Sequence, residues 1–277
     1  MTKRLELARL YWRRMKVEGV PRSLGRMATH PGRLLHHARR IIAADARGTS
    51  NPYDHSASRD ADVALVAQAA GVATPAAEAV VAEVEQDAPL LTELHERYLR
   101  ARPERGARFA IGRFKVVYAL VRLKRPASVV ETGVHDGLSS ALILRALERN
   151  EAGSLISIDL PSTDLPIGVA GPGWLIPDRL KQRWRLELGD ARRLLPRVAA
   201  EAAPIGLFLH DSDHSRAHRE FEFRTVRPAM APDGLLVSDD DEPPDTLLDE
   251  LAAEWSMRHL RNDANGASGP VIGVLVA

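Results

Sequence analysis

The segment Val129-Val130-Glu131-Thr132-Gly133-Val134-His135-Asp136-Gly137-Leu138-Ser139-Ser140 constrains the fold more than any other stretch of this 277-residue chain. Ala127 to Val130 are small or β-branched, as a strand buried on both faces requires. An acidic residue and a glycine turn follow. Leu138, Ala141, Leu142 and Ala146 then recur on one face of a helix. A strand without a solvent face needs helices on both sides of its sheet, so the unit implies a parallel α/β fold. The unbonded N–H groups at the helix start suit a polar or anionic ligand. The glycine spacing is G-x-x-x-G with an acid two residues before it, which fits the dinucleotide pattern G-x-G-x-x-G poorly.

From about residue 127 the chain reads as repeated strand and helix units, and each strand ends in an acid. Ser154 to Leu160 contains Asp159, Arg185 to Leu188 leads into Gly189-Asp190, and Ile205 to Leu209 leads into His210-Asp211-Ser212-Asp213-His214. Leu235 to Val237 leads into Ser238-Asp239-Asp240-Asp241. In an open parallel sheet the ligand crevice lies outside the carboxyl ends of the strands, so these acids are expected on one rim.

The first turn resembles the E/D-x-G-x-x-x-G motif of class I S-adenosylmethionine-dependent methyltransferases. The segments Phe208-Leu209-His210-Asp211-Ser212-Asp213-His214 and Gly234-Leu235-Leu236-Val237-Ser238-Asp239-Asp240 are similar to the motifs of a bacterial group of small-molecule O-methyltransferases. Arg216-Ala217 and Pro232-Asp233-Gly234 depart from that group's usual residues. The resemblance covers roughly the last 150 residues, about one domain's worth. It implies a doubly wound, mostly parallel, Rossmann-like methyltransferase sheet over residues 126–277, preceded by a helical N-terminal extension over 1–125.

The same resemblance implies S-adenosylmethionine as cofactor and assigns residues to it. Glu131 would receive the methionine ammonium, directly or through water, and Gly133 would let the backbone approach the ligand. Gly137, Ser139 and His135 would line the turn, Asp159 would accept both ribose hydroxyls, and Asp190 would lie near adenine. A carboxylate suits the ribose because it accepts two hydrogen bonds and donates none.

Asp211, Asp239 and Asp240 form a second constellation. Gathered on one rim they would repel one another unless a cation or protons intervened, which argues for Mg²⁺ or another hard divalent cation bound by these three oxygens. His214, three residues after Asp211, has the ordinary imidazole pKa of about 6.5 that suits a general base at neutral pH. The expected reaction is methyl transfer to a hydroxyl on a small-molecule acceptor, with Asp211 and His214 as its catalytic pair. Three alternatives stay open: a metal-independent N- or O-methyltransferase, a non-catalytic nucleoside-binding sensor or assembly protein, and a metal-dependent hydroxylase or hydrolase using the Asp/His rim.

Before residue 127 the pattern is helical, with helices expected over Asp60–Ala70, Ala76–Gln86, Ala88–Leu99 and Phe109–Leu123. Gly48 to Ser58 is the linker candidate. Residues 1–47 carry an excess of nine positive charges, residues 201–263 an equal negative excess, and the whole chain a net charge of +1. The basic segment is suited to an anionic surface or an acidic subunit face, and the N-terminal helices to a homo-oligomer. Tyr11 and Trp12 are too few for an interleaved nucleic-acid surface, and none is expected. The chain has no cysteine, which excludes disulfides, thiolate metal sites and a cysteine nucleophile. With no apolar run near the ~18 residues of a membrane span, the expected location is the cytoplasm. The Pro- and Gly-rich segment from Pro161 to Trp174 is expected to act as a lid.

Overall fold

The computed structural model describes residues 59–102, 110–161, 165–166, 168–239, 241, 245–262 and 271–277. The basic segment 1–47, the linker 48–58 and the expected metal ligand Asp240 lie outside the described residues.

Four helices come first: α1 (Arg59–Ala70), α2 (Thr74–Glu85), α3 (Ala88–Ala101) and α4 (Phe114–Lys124). Gly71, at φ +69°, ends α1 in the left-handed conformation that glycine adopts without strain. Then β1 (Ser128–Thr132), α5 (Leu138–Asn150), β2 (Ser154–Asp159), a 3₁₀ turn over Asp178–Arg183, and β3 (Trp184–Leu188) follow. The remainder is α6 (Ala191–Ala202), β4 (Ile205–His210), α7 (Arg216–Val226), β5 (Met230–Ser238), α8 (Leu247–Trp255), β6 (Arg258–Arg261) and β7 (Gly273–Val276).

The seven strands form one sheet in the order β3-β2-β1-β4-β5-β7-β6. β1 pairs in parallel with both β2 and β4, so the strand order reverses between β1 and β4. That reversal opens the crevice at their carboxyl ends. Alternation along the strands divides the core. Val129, Leu207, Leu209 and Val237 pack with Tyr118 and Leu142 on one face, while Val130, Phe208 and Leu236 pack with Leu195, Phe223 and Leu251 on the other. Side chains of period two thus meet helices on both faces, which is the doubly wound arrangement expected from β1.

The final pair departs from the repeated parallel units. β7 is antiparallel to both β5 and β6. β6 reads Arg-His-Leu-Arg, so it lacks the apolar run that marks a buried parallel strand. One apolar cluster also runs from Val63, Val81 and Leu90 through Tyr118 to Leu142, Leu207 and Val237. The core is therefore continuous across residue 126. Among the described residues no single helix is long and apolar enough to cross a membrane.

Candidate active site at the carboxyl ends of the strands

The rim is assembled by backbone hydrogen bonds that extend the sheet one step beyond its strands. Asp211 N–H donates to the Thr132 carbonyl at 2.8 Å, and Asp239 N–H to the His210 carbonyl at 2.9 Å. Gly133 N–H donates to the Ile158 carbonyl at 2.9 Å. The ends of β1, β2, β4 and β5 are thereby tied into one surface.

Gly133 has φ +86°, and a Cβ built on it would fall on the carbonyl of Asp211, well inside the 3.0 Å that real Cβ atoms respect. The side of Gly133 that a Cβ would occupy is filled by the loop after β4. Gly137, at φ +93°, meets the backbone of Gly173 in the same way. Both glycines are needed for chain-to-chain approach, which the spacing of the motif alone does not distinguish from approach to a ligand.

Glu131 has no exposed surface. Its carboxylate accepts from the hydroxyls of Ser139 at 2.6 Å, Ser140 at 2.6 Å and Ser157 at 2.7 Å. Burial pushes this carboxyl above its ordinary range, against the three hydroxyls. The side chain expected to receive an ammonium thus anchors the first turn of α5 to β1 and β2. Asp159 Oδ2 accepts from the backbone N–H groups of Val134 at 3.1 Å and His135 at 2.7 Å, and Oδ1 from that of Leu160 at 2.7 Å. Of about four lone pairs on a carboxylate, three are engaged. As arranged, Asp159 can accept one ribose hydroxyl, not two. Asp190 caps α6, accepting from Arg192 N–H at 2.9 Å, beside Leu188, a large hydrophobic residue left 53% exposed. His135 sits at the tip of the turn with φ +48°.

The second half of the Pro- and Gly-rich segment is seated on the turn. Gly173 N–H donates to the His135 carbonyl at 2.9 Å and Leu175 N–H to that of Asp136 at 3.0 Å. Buried Asp136 also accepts from the Trp174 indole at 2.8 Å and from Arg102 at 3.1 Å. Burial raises the Asp136 carboxyl, but the neighbouring His135 and Arg102 charges bring it below its usual range. Tyr98 of α3 stacks on Trp174 with ring centroids 6.4 Å apart. Ser162, Thr163, Asp164 and Ile167 of this segment lie outside the described residues.

Opposite the turn stand Asp211, His214 and Asp239, each with one ligand-type atom within 4.8 Å of the others. His214 Nε2 lies 3.8 Å from Asp211 Oδ1. The acids do converge, and they do need a cation, but the structure supplies one from the protein. Arg113, 2% exposed, donates through Nε to Asp239 Oδ1 and through Nη2 to Oδ2. Burial opposes ionisation of Asp239, yet the Arg113 charge and its paired hydrogen bonds hold the carboxyl well below the usual range. The donor set of two carboxylates and an imidazole has suitable chemistry for a divalent ion. Both Asp239 oxygens are already paired with a guanidinium, so an ion there would sit beside a buried positive charge. Of the ligands expected for a metal, Asp211 and Asp239 are brought together with His214, and Asp240 lies outside the described residues.

Sequence reasoning missed two residues here. One is Arg113. The other is Glu222, fully buried on α7, whose Oε2 accepts from the Thr132 hydroxyl and from His210 Nδ1, both at 2.6 Å. Its Oε1 pairs with the Ser212 hydroxyl at 2.9 Å and His218 Nε2 at 2.8 Å. Burial raises the Glu222 carboxyl, but the charge and hydrogen bonds of His210 and His218 draw it far below its ordinary value. The spacing of four from Glu222 to both His218 and buried Val226 was the available signal. Of the other strand-end acids, Asp213 caps Ser215 N–H at 3.0 Å, and Asp241 is turned toward β6, where it pairs with His259 at 2.8 Å and Arg261 at 2.7 Å.

Residues 130–240 match a family model described as a methyltransferase domain. No curated protein matches the sequence. Among solved structures, a candidate O-methyltransferase from Klebsiella pneumoniae is similar at a TM-score of 0.51 and 18% identity, over 68% of this chain and 90% of that one. The O-methyltransferase TomG from Streptomyces achromogenes, involved in tomaymycin synthesis and crystallised with SAM, is similar at 0.50 and 17% identity, over 69% and 91%. At these identities the likeness is one of fold.

Proposed function

We propose, from the match of residues 130–240 to a methyltransferase domain, that the chain is a class I S-adenosylmethionine-dependent methyltransferase that transfers methyl to a hydroxyl of a small-molecule acceptor, with His214 as general base and no metal ion. The observation that carries this reading is the contact between Gly133 and the backbone of Asp211, which sets the donor turn directly against the loop bearing Asp211 and His214. When bound, S-adenosylmethionine supplies a methyl carbon on a positively charged sulfur, so an O–C bond forms as the S–C bond breaks. Asp159 keeps one lone pair for a ribose hydroxyl, Leu188 offers an apolar surface beside Asp190 for adenine, and Glu131 holds the first turn of α5 rigid. His214 takes the hydroxyl proton as the oxygen attacks. The imidazolium so formed faces Asp211 and interacts with Asp239, and both carboxylates stabilise it. Holding oxygen and methyl in line removes an entropic barrier of about 7 kcal/mol or more.

Calorimetric titration with S-adenosylmethionine and with NAD tests the donor. Binding of the first and not the second is expected, and no binding of S-adenosylmethionine refutes the reading. With donor carrying a labelled methyl group and a panel of hydroxylated acceptors, label is expected on oxygen. His214→Ala should lower turnover by about 10²-fold or more at neutral pH while leaving donor affinity unchanged.

A further inference from the structure

We propose that Arg113 is the resident cation of the acid rim, holding both oxygens of Asp239 so that a divalent ion is excluded, and that removing the guanidinium alone converts the rim into a divalent-cation site. Three observations meet here. Asp211, His214 and Asp239 already stand at ligand spacing, each within 4.8 Å of the others, so a cation site exists in outline. Arg113 and Asp239 are 2% and 1% exposed and are joined through two parallel hydrogen bonds, so the site's most buried carboxylate already faces a positive charge at both oxygens. The guanidinium is itself fixed, with its central carbon 5.2 Å from the centroid of the Phe114 ring. Arg113 immediately precedes α4, and α4 packs on α5, the helix that the donor turn opens.

The charges explain why the pair excludes a metal. Arg113 sets a positive charge against Asp239 within a bidentate pair. A divalent ion added to the same groups would sit beside a buried guanidinium and repel it, and Asp239 would have to break two charge-assisted bonds to serve as ligand. Arg113 is thus a positioning residue: it keeps Asp239 ionised and fixed. With Arg113 gone, Asp239 is a buried carboxylate that has lost its guanidinium and stands beside two further ligands, which is the arrangement a hard cation relieves.

The inference rests on the proposed reading only in naming this rim the acceptor side. Metal uptake is read without turnover, so a chain that failed to bind S-adenosylmethionine would sink that reading and leave this one standing. The experiment titrates Mn²⁺ into the full chain and follows the free-ion signal by electron paramagnetic resonance, with a thermal melt in parallel. The wild-type chain is expected to remove no Mn²⁺ in an Asp239-dependent way. Arg113→Ala is expected to take up one ion per chain, at least tenfold more tightly than the wild type, and to melt higher as Mn²⁺ is added. Both effects should vanish when Asp239→Asn or Asp211→Asn is combined with it. Asp239-dependent uptake by the wild type overturns the proposal, as does a folded Arg113→Ala protein that takes up none. Should Arg113→Ala fail to fold, the wild-type titration against Asp239→Asn decides alone.

Discussion

Gly133→Ala tests whether the donor turn and the loop after β4 are one unit. The new methyl would fall on the carbonyl of Asp211, inside 3.0 Å, whereas ordinary contact begins near 3.4 Å. Two costs add. Holding a non-glycine residue at φ +86° costs about 1–2 kcal/mol, and forcing packed groups apart costs about 1–3 kcal/mol more. Gly71→Ala isolates the first, because Gly71 has φ +69° and nothing within 4 Å of its missing Cβ. Urea unfolding should therefore show Gly71→Ala destabilised by about 1–2 kcal/mol and Gly133→Ala by about 2–5 kcal/mol. The kinetic consequence is larger. Relief of the overlap moves the Asp211–His214 loop away from the turn by on the order of 1 Å, and a misplacement of that size costs about 10²-fold in rate. Because Asp159 still clasps Val134 and His135, donor affinity should change by less than about tenfold, so the loss falls on kcat. Steady-state kinetics with the best acceptor of the panel and titration with S-adenosylmethionine separate the two. A kcat within threefold of wild type, with stability no lower than that of Gly71→Ala, would refute the coupling.

Two other perturbations address the surroundings of the rim. Glu222→Gln keeps one acceptor oxygen where four donors converge and removes a buried charge, so it should cost about 3–5 kcal/mol at pH 7. The folded-state pKa of Glu222 is depressed, so its contribution is present above the unfolded value of about 4.3 and lost as pH falls below it. The gap between wild type and Glu222→Gln should thus narrow by about 1.4 kcal/mol per unit below pH ~4, and a gap independent of pH from 7 to 3.5 would contradict the assignment. Trp174→Phe removes the indole donor to Asp136 and leaves an aromatic ring beside Tyr98, at a cost of about 1 kcal/mol. Amide exchange at Gly173 and Leu175, whose N–H groups are bonded to the turn, should accelerate by several-fold, whereas unchanged exchange would mean that the segment is held by its buried Leu175 and Ile176 alone.

What the sequence made legible here, and what it did not, follows from the range over which each signal acts. Val129 and Val130 sit on opposite faces of one strand, and their joint apolarity demands helices on both sides, so the doubly wound sheet follows from neighbours in the chain. The acids at the strand ends are placed by the same local rule, and Asp211 and Asp239 do meet. β6 escaped because a short polar strand at a sheet edge has no periodic signature, and the role of Gly133 escaped because an absent Cβ looks the same whether a ligand or a carbonyl fills its place. Arg113 marks the physical limit. Electrostatics alone required a positive charge among Asp211, Asp239 and Asp240, and that requirement was readable. The identity of the charge was not, because Arg113 lies 126 positions from Asp239 and is one of 38 Lys and Arg residues, with nothing nearby to set it apart. A divalent ion and a buried guanidinium answer the same electrostatic demand, and nothing within reach of either acid along the chain separates the two.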